Sequence, residues 1–194
     1  MKRLETFDIN GLKPALRHCN SGAKNDVLNT NGCCYYQWTA CLIDMMKPKQ
    51  VVELGGAMGV WALCALHYLP EDSILHSITL EEFGIEFSFI KDKYPNLNMI
   101  TGDDLDMKHW EGIDLTKTDL WFFDSLHTEE QLRKEMELYG EHIKKGALVL
   151  FDDIRMPELW PVWQDIMDGK YGGYDTHEGT DPLHYSGYGL AVKT

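Results

Sequence analysis

The sequence predicts an α/β fold. It would be a mostly parallel sheet of seven strands, with helices on both faces and an antiparallel strand pair at its C-terminal end. Three observations predict it. Short apolar runs alternate with helical patterns from Gln50 onward, which marks βαβ units and a parallel sheet covered on both sides. The first run ends in a glycine turn, Gly55 to Gly59, that leads straight into an apolar helical pattern. The last two runs, near Tyr174 to Glu178 and Gly187 to Val192, have no helical pattern between them, so they pair antiparallel.

The elements follow in order. A helix is expected from about Tyr36 to Met46, ended by Pro48. Val51 to Leu54 is a short buried strand, and Val60 to Tyr68 an apolar helix stopped by Pro70. Ile74 to Leu80 reads as the second strand, Phe83 to Tyr94 as a helix and Asn98 to Thr101 as the third strand. Asp119 to Phe123 is the fourth strand. Thr128-Glu-Glu-Gln131 then fits a capping box. Leu132, Met136, Tyr139 and Ile143 recur at helical spacing behind it, and Lys144-Lys145-Gly146 supplies a cationic last turn and a stop. Ala147 to Phe151 is the fifth strand, with a helix around Leu159 to Met167 after it.

The 194 residues suit one domain. Residues 1–47 read as an N-terminal helical cover and 48–194 as the core. The formal charge is −13, from 18 basic and 31 acidic side chains. That argues against phosphate-driven nucleic-acid binding. No apolar run approaches the roughly 20 residues of a membrane span, and the N-terminus lacks an apolar signal core. A cytoplasmic protein with no nucleic-acid or membrane partner is expected. Its five cysteines would then be reduced thiols. Oligomeric state is open, a homo-oligomer included.

Two segments carry chemistry. The glycine turn lies at the carboxyl end of the first strand, where open α/β sheets bind ligands. It lacks the full G-x-G-x-x-G fingerprint of a nicotinamide site. The second segment is Asp124-Ser-Leu-His127 after the fourth strand together with Asp152-Asp153 after the fifth. Neighbouring parallel strands would bring these three carboxylates to one sheet edge, where their repulsion invites a cation. An all-oxygen donor set suits Mg²⁺ or another hard divalent ion. The C-terminal His177, His184, Tyr185 and Tyr188 could line a pocket mouth or simply pack a hairpin. Tyr35, Tyr36 and Trp38 could cover the site.

Val52-Glu53-Leu54-Gly55-Gly56-Ala57-Met58-Gly59 resembles the first motif of class I S-adenosylmethionine-dependent methyltransferases. The resemblance implies a Rossmann-like fold and that cofactor. It implies that Glu53 supports the cofactor's amino-acid end and that Gly55 and Gly59 pass beside its sugar. A carboxylate after the second strand, favoured as Glu81, would hold the ribose hydroxyls. Asp103 or Asp104 would accept from the adenine amino group. The pair D-x-x-H and D-D, with Asp124 and Asp152 28 residues apart, resembles metal-dependent O-methyltransferases of the catechol type and, more closely, the macrocin type. By that likeness Asp124, Asp152 and Asp153 hold the metal, with Asp124 also beside the cofactor, and His127 stands at the general base. The implied reaction moves a methyl group to a hydroxyl of a small molecule: a sugar, polyol or phenol. The alternatives are metal-independent N- or O-methylation and a cofactor-binding domain without catalysis.

Overall fold

The computed structural model describes residues 34–57, 59–81, 90, 93–175 and 186–194, with backbone alone for 34–38, 40, 174 and 175. The elements are α1 (Cys34–Met46), β1 (Gln50–Leu54), α2 (Val60–Tyr68), β2 (Ile74–Thr79), β3 (Leu97–Thr101), β4 (Leu120–Phe123), α3 (Glu129–Tyr139), β5 (Leu148–Asp152), α4 (Trp160–Met167), β6 (Tyr171–Asp175) and β7 (Tyr188–Lys193). Two short 3₁₀ turns, Met107–Trp110 and Leu115–Lys117, interrupt the long connection from β3 to β4. Most of the helix expected over 83–94 lies outside the described residues.

The strands form one sheet in the order β3-β2-β1-β4-β5-β7-β6. Neighbours from β3 across to β5 are parallel, and β7 runs antiparallel to both β5 and β6. The expected seven-stranded sheet with its terminal antiparallel pair is therefore present. Strand order reverses between β1 and β4, and the carboxyl ends at such a reversal form a ligand crevice.

The unbroken apolar runs of β4 and β5 follow from burial on both faces. Val51, Leu120, Phe122 and Leu150 pack with α1 and α2, through Leu42, Ile43, Trp61 and Leu66. Val52, Trp121, Phe123 and Phe151 pack on the other face with α3 and α4, through Leu132, Tyr139, Trp163 and Ile166. Among the described residues, no helix is long and apolar enough to cross a membrane.

α3 starts as expected, with Thr128 Oγ1 accepting from Gln131 N–H at 3.3 Å. Only half of the capping box forms, because the Gln131 side chain turns to Asp104 and Glu135. The helix also stops at Tyr139, short of Ile143. A glycine at position 140 weakens the last turn, and Lys193 Nζ takes the Gly140 carbonyl at 2.7 Å. The reduced-thiol expectation holds for Cys64, a buried thiol outside any disulfide, but not for Cys41, which is disulfide-bonded.

Tyr188, a candidate for a pocket mouth, is instead fully buried. Its hydroxyl shares a hydrogen bond of 3.0 Å with Thr39 Oγ1, which also accepts from Trp61 Nε1 at 3.0 Å. One buried threonine thus ties α1 to α2 and β7. Thr39→Val leaves the Trp61 N–H without its acceptor and should cost about 1–3 kcal/mol, read as a lower urea midpoint at unchanged slope.

Candidate functional site

The glycine turn is built by left-handed backbone: Gly55 has φ 87°, Ala57 φ 42° and Gly59 φ 80°. The N–H groups of Gly55 and Gly56 both donate to the Ile78 carbonyl, at 3.0 and 2.9 Å. Asp124 N–H donates to the Leu54 carbonyl at 3.0 Å, which draws the end of β4 against the turn. A Cβ on Gly55 would overlap the Asp124 carbonyl group. Here glycine is required for one backbone to cross another.

Glu53 stands one residue before the end of β1, on the face shared with Val51, and is 1% exposed. It lies opposite Ser77 in the β1–β2 register, and Ser77 Oγ donates to its carboxylate. Burial outweighs that bond and pushes Glu53 from 4.5 up to about 8, with the nearby Asp124 charge adding to the rise. Glu53 therefore ties β1 to β2 from inside the sheet, just before the turn. An acid raised in the fold stabilises it fully below its unfolded pKa and loses that contribution as pH climbs through the folded one. Without ligands, Tm should fall between about pH 5 and pH 9, and Glu53→Gln should flatten that fall by on the order of 1–3 kcal/mol. Calorimetry at several pH values checks this, and a wild-type Tm that rises over the interval contradicts it.

Glu81 follows β2 and is exposed at the same sheet edge. Asp103 and Asp104 follow β3 and point differently. Asp103 is exposed and caps Leu105 N–H at 2.9 Å. Asp104 is 8% exposed, and its carboxylate accepts from Gln131 Nε2 at 2.8 Å. Of the two, Asp103 is the one open to a ligand.

The ends of β4 and β5 bring Asp124, His127, Asp152 and Asp153 together. His127 Nε2 lies 3.1 Å from Asp124 Oδ1, and its Nδ1 lies 3.0 Å from Asp153 Oδ2. Asp152 Oδ1 accepts from Asp153 N–H at 3.0 Å. Burial raises Asp152 well above the usual carboxylate range, and the charges of Asp124 and Asp153 add to it. Burial also raises Asp124, against the opposing bond to His127. The bond to Asp124, then that to Asp153, pushes His127 up to about 10. His127 is thus an imidazolium wedged between two carboxylates. Among the described residues no group of three or more His, Cys, Asp or Glu is set as a metal site. The donor chemistry still fits a hard cation, since three carboxylates share the charge of one imidazolium.

Asp153 has φ 54°, a left-handed backbone that Asp tolerates better than most residues. Ser186, just before β7, donates through Oγ to Asp153 Oδ1. Nothing in the sequence pattern marked Ser186. Ser77 could have been found from strand register, as the residue opposite Glu53. The other C-terminal candidates, His177, His184 and Tyr185, lie outside the described residues, as do the side chains of Tyr35, Tyr36 and Trp38. A groove of about 320 Å³ between α3 and α4 is lined by Met136, Ile166 and Tyr171. Tyr171 pairs with Lys193, beside the start of β5, so that groove lies at the opposite end of the sheet.

A family model described as a methyltransferase domain matches residues 52–154. No curated protein matches the chain. Among solved structures, a Staphylococcus aureus protein assigned as a caffeoyl-CoA O-methyltransferase is similar at TM-score 0.71 and 16% identity, covering 96% of this chain and 100% of that one. A Geobacter sulfurreducens methyltransferase gives 0.64 and 12%, covering 96% and 92%. The O-methyltransferase TomG from Streptomyces achromogenes, involved in tomaymycin synthesis and solved with S-adenosylmethionine, gives 0.62 and 16%, covering 98% and 93%. At these identities the likeness is one of fold.

Proposed function

The chain belongs to the methyltransferase-domain family, and on that premise we propose that it moves a methyl group from S-adenosylmethionine to a hydroxyl of a small molecule, with a divalent cation at Asp124, Asp152 and Asp153. The observation that carries this reading is the meeting of those carboxylates with His127, beside the glycine turn at the strand reversal. When bound, the cofactor supplies an electrophilic methyl group, and the cation lowers the pKa of a hydroxyl at its side.

The chain's own residues do the rest. Gly55 and Gly59 let the turn run close to the cofactor's sugar, Glu81 accepts from the ribose hydroxyls, and Asp103 accepts from the adenine amino group. His127 takes the hydroxyl proton. In the arrangement described it already holds one, because Asp124 and Asp153 keep it charged. It would serve as a base if Asp124, Asp152 and Asp153 held a divalent cation, whose charge would offset theirs and let the imidazolium pKa fall toward neutral. The acceptor is a small phenol, sugar or polyol, whose hydroxyl needs this activation. The fold shared with TomG supports the cofactor and the oxygen acceptor.

Two measurements test the reading. Calorimetric titration should show S-adenosylmethionine binding. Transfer of labelled methyl to a hydroxyl panel should fall by about 100-fold or more on chelation or on Asp152→Ala, and return with Mg²⁺ after chelation only. Methyl transfer that survives both changes supports metal-independent methylation instead.

A further inference from the structure

One buried acid takes no part in that reaction. Glu135 lies on the inward stripe of α3 with Leu132 and Tyr139 and is 1% exposed. Its carboxyl reaches two loops at once. Ser125 Oγ, next to Asp124, donates to Glu135 Oε1. Gln131 Nε2 donates to the same oxygen at 2.9 Å and to Asp104 Oδ1 at 2.8 Å. Burial, then the Asp104 charge, pushes Glu135 up to about 8, which leaves it a neutral acid at neutral pH. Tyr139 Oη donates to the Asp104 carbonyl and accepts from Trp110 Nε1 at 2.8 Å, which fixes the backbone of the same loop.

The geography gives this network its meaning. Asp104 follows β3 and Ser125 follows β4, and two strands separate β3 from β4 in the sheet. Asp103, the candidate adenine contact, and Asp124 and His127, the candidate chemistry, therefore belong to loops with no strand pairing in common. Glu135 and Gln131 bridge them from beneath. We propose that Glu135, bonded to Ser125 and to the Gln131 amide that also holds Asp104, is a positioning residue that holds the adenine side and the reacting side of the site in one geometry. This rests on the cofactor reading above.

The test uses Glu135→Gln, which keeps a neutral donor and an acceptor in the same shape, and Glu135→Leu, which keeps neither. S-adenosylmethionine is titrated by calorimetry, and amide exchange is followed in residues 103–106 and 125–128. Glu135→Leu should weaken binding about tenfold or more and raise exchange in both loops, while Glu135→Gln stays within about threefold of wild type. Ser125→Ala, a gentler change should Glu135→Leu fail to fold, should raise exchange in both loops as well. Wild-type binding and exchange in Glu135→Leu, equal losses in Glu135→Gln and Glu135→Leu, or unchanged exchange in Ser125→Ala would each overturn the proposal. If the wild-type chain binds no S-adenosylmethionine, the cofactor reading fails, and the exchange measurement still decides whether Glu135 couples the two loops.

Discussion

His127→Ala should lower kcat for methyl transfer by about 10²–10⁴-fold, the usual worth of a positioned general base. KM for S-adenosylmethionine should stay within about twofold, because uniform binding is untouched when only a transition-state contact is lost. The same substitution has a second signature. It removes the cation that bridges Asp124 and Asp153, so these carboxylates and Asp152 then repel in a largely buried cluster. The variant should therefore unfold at lower temperature than wild type in chelator and recover most of that loss in Mg²⁺. Steady-state kinetics on an acceptor that the wild type methylates, with melting curves in chelator and in Mg²⁺, reads both. A kcat within threefold of wild type would remove His127 from the mechanism.

Gly55→Ala should be the most damaging single methyl group added anywhere in the site. Left-handed backbone at φ 87° costs an L-residue roughly 1–2 kcal/mol. The added Cβ also overlaps the Asp124 carbonyl, which is backbone in a paired strand end and cannot rotate away. Together these should cost about 3–5 kcal/mol, a large part of the 5–15 kcal/mol that holds a domain folded. Gly112 separates the two causes. It has φ 83° but open space where a Cβ would go, so Gly112→Ala should cost only the backbone share, about 1–2 kcal/mol. Equal urea midpoints for the two variants would mean that the crossing of β1 and β4 is looser than described.

The sheet was legible because its evidence is periodic. β4 is apolar throughout and β5 up to its terminal Asp152, α3 carries a cap and a stripe, and strands alternate with helices. Convergence of Asp124, Asp152 and Asp153 followed from adjacency of parallel strands alone. The direction of a polar side chain after a strand is another matter. Asp103 and Asp104 are chemically identical neighbours, and only the packing of α3 decides which one turns inward. Glu135 sits among Arg133, Lys134 and Glu137 and reads locally as a solvated charge. Its spacing, three residues after Leu132 and four before Tyr139, was the available sign that it lies on the buried stripe. Tyr188 was open to two readings, a pocket mouth or packing, and the structure decides for packing: an antiparallel strand inside the sheet buries it against α1.

The reversal of strand order between β1 and β4 also shapes how the chain folds. Val51 pairs with Leu120 across roughly seventy residues, with β2, β3 and two 3₁₀ turns in between. Such a closure is slow, because the entropy of a long loop is lost before the contacts reward it. Gly55 meets Asp124 only when that closure is complete, so the crevice does not exist in any partly folded form that lacks it. A ligand of the crevice then binds the native chain alone. It should leave the folding rate unchanged and slow unfolding, since its contacts form after the rate-limiting step.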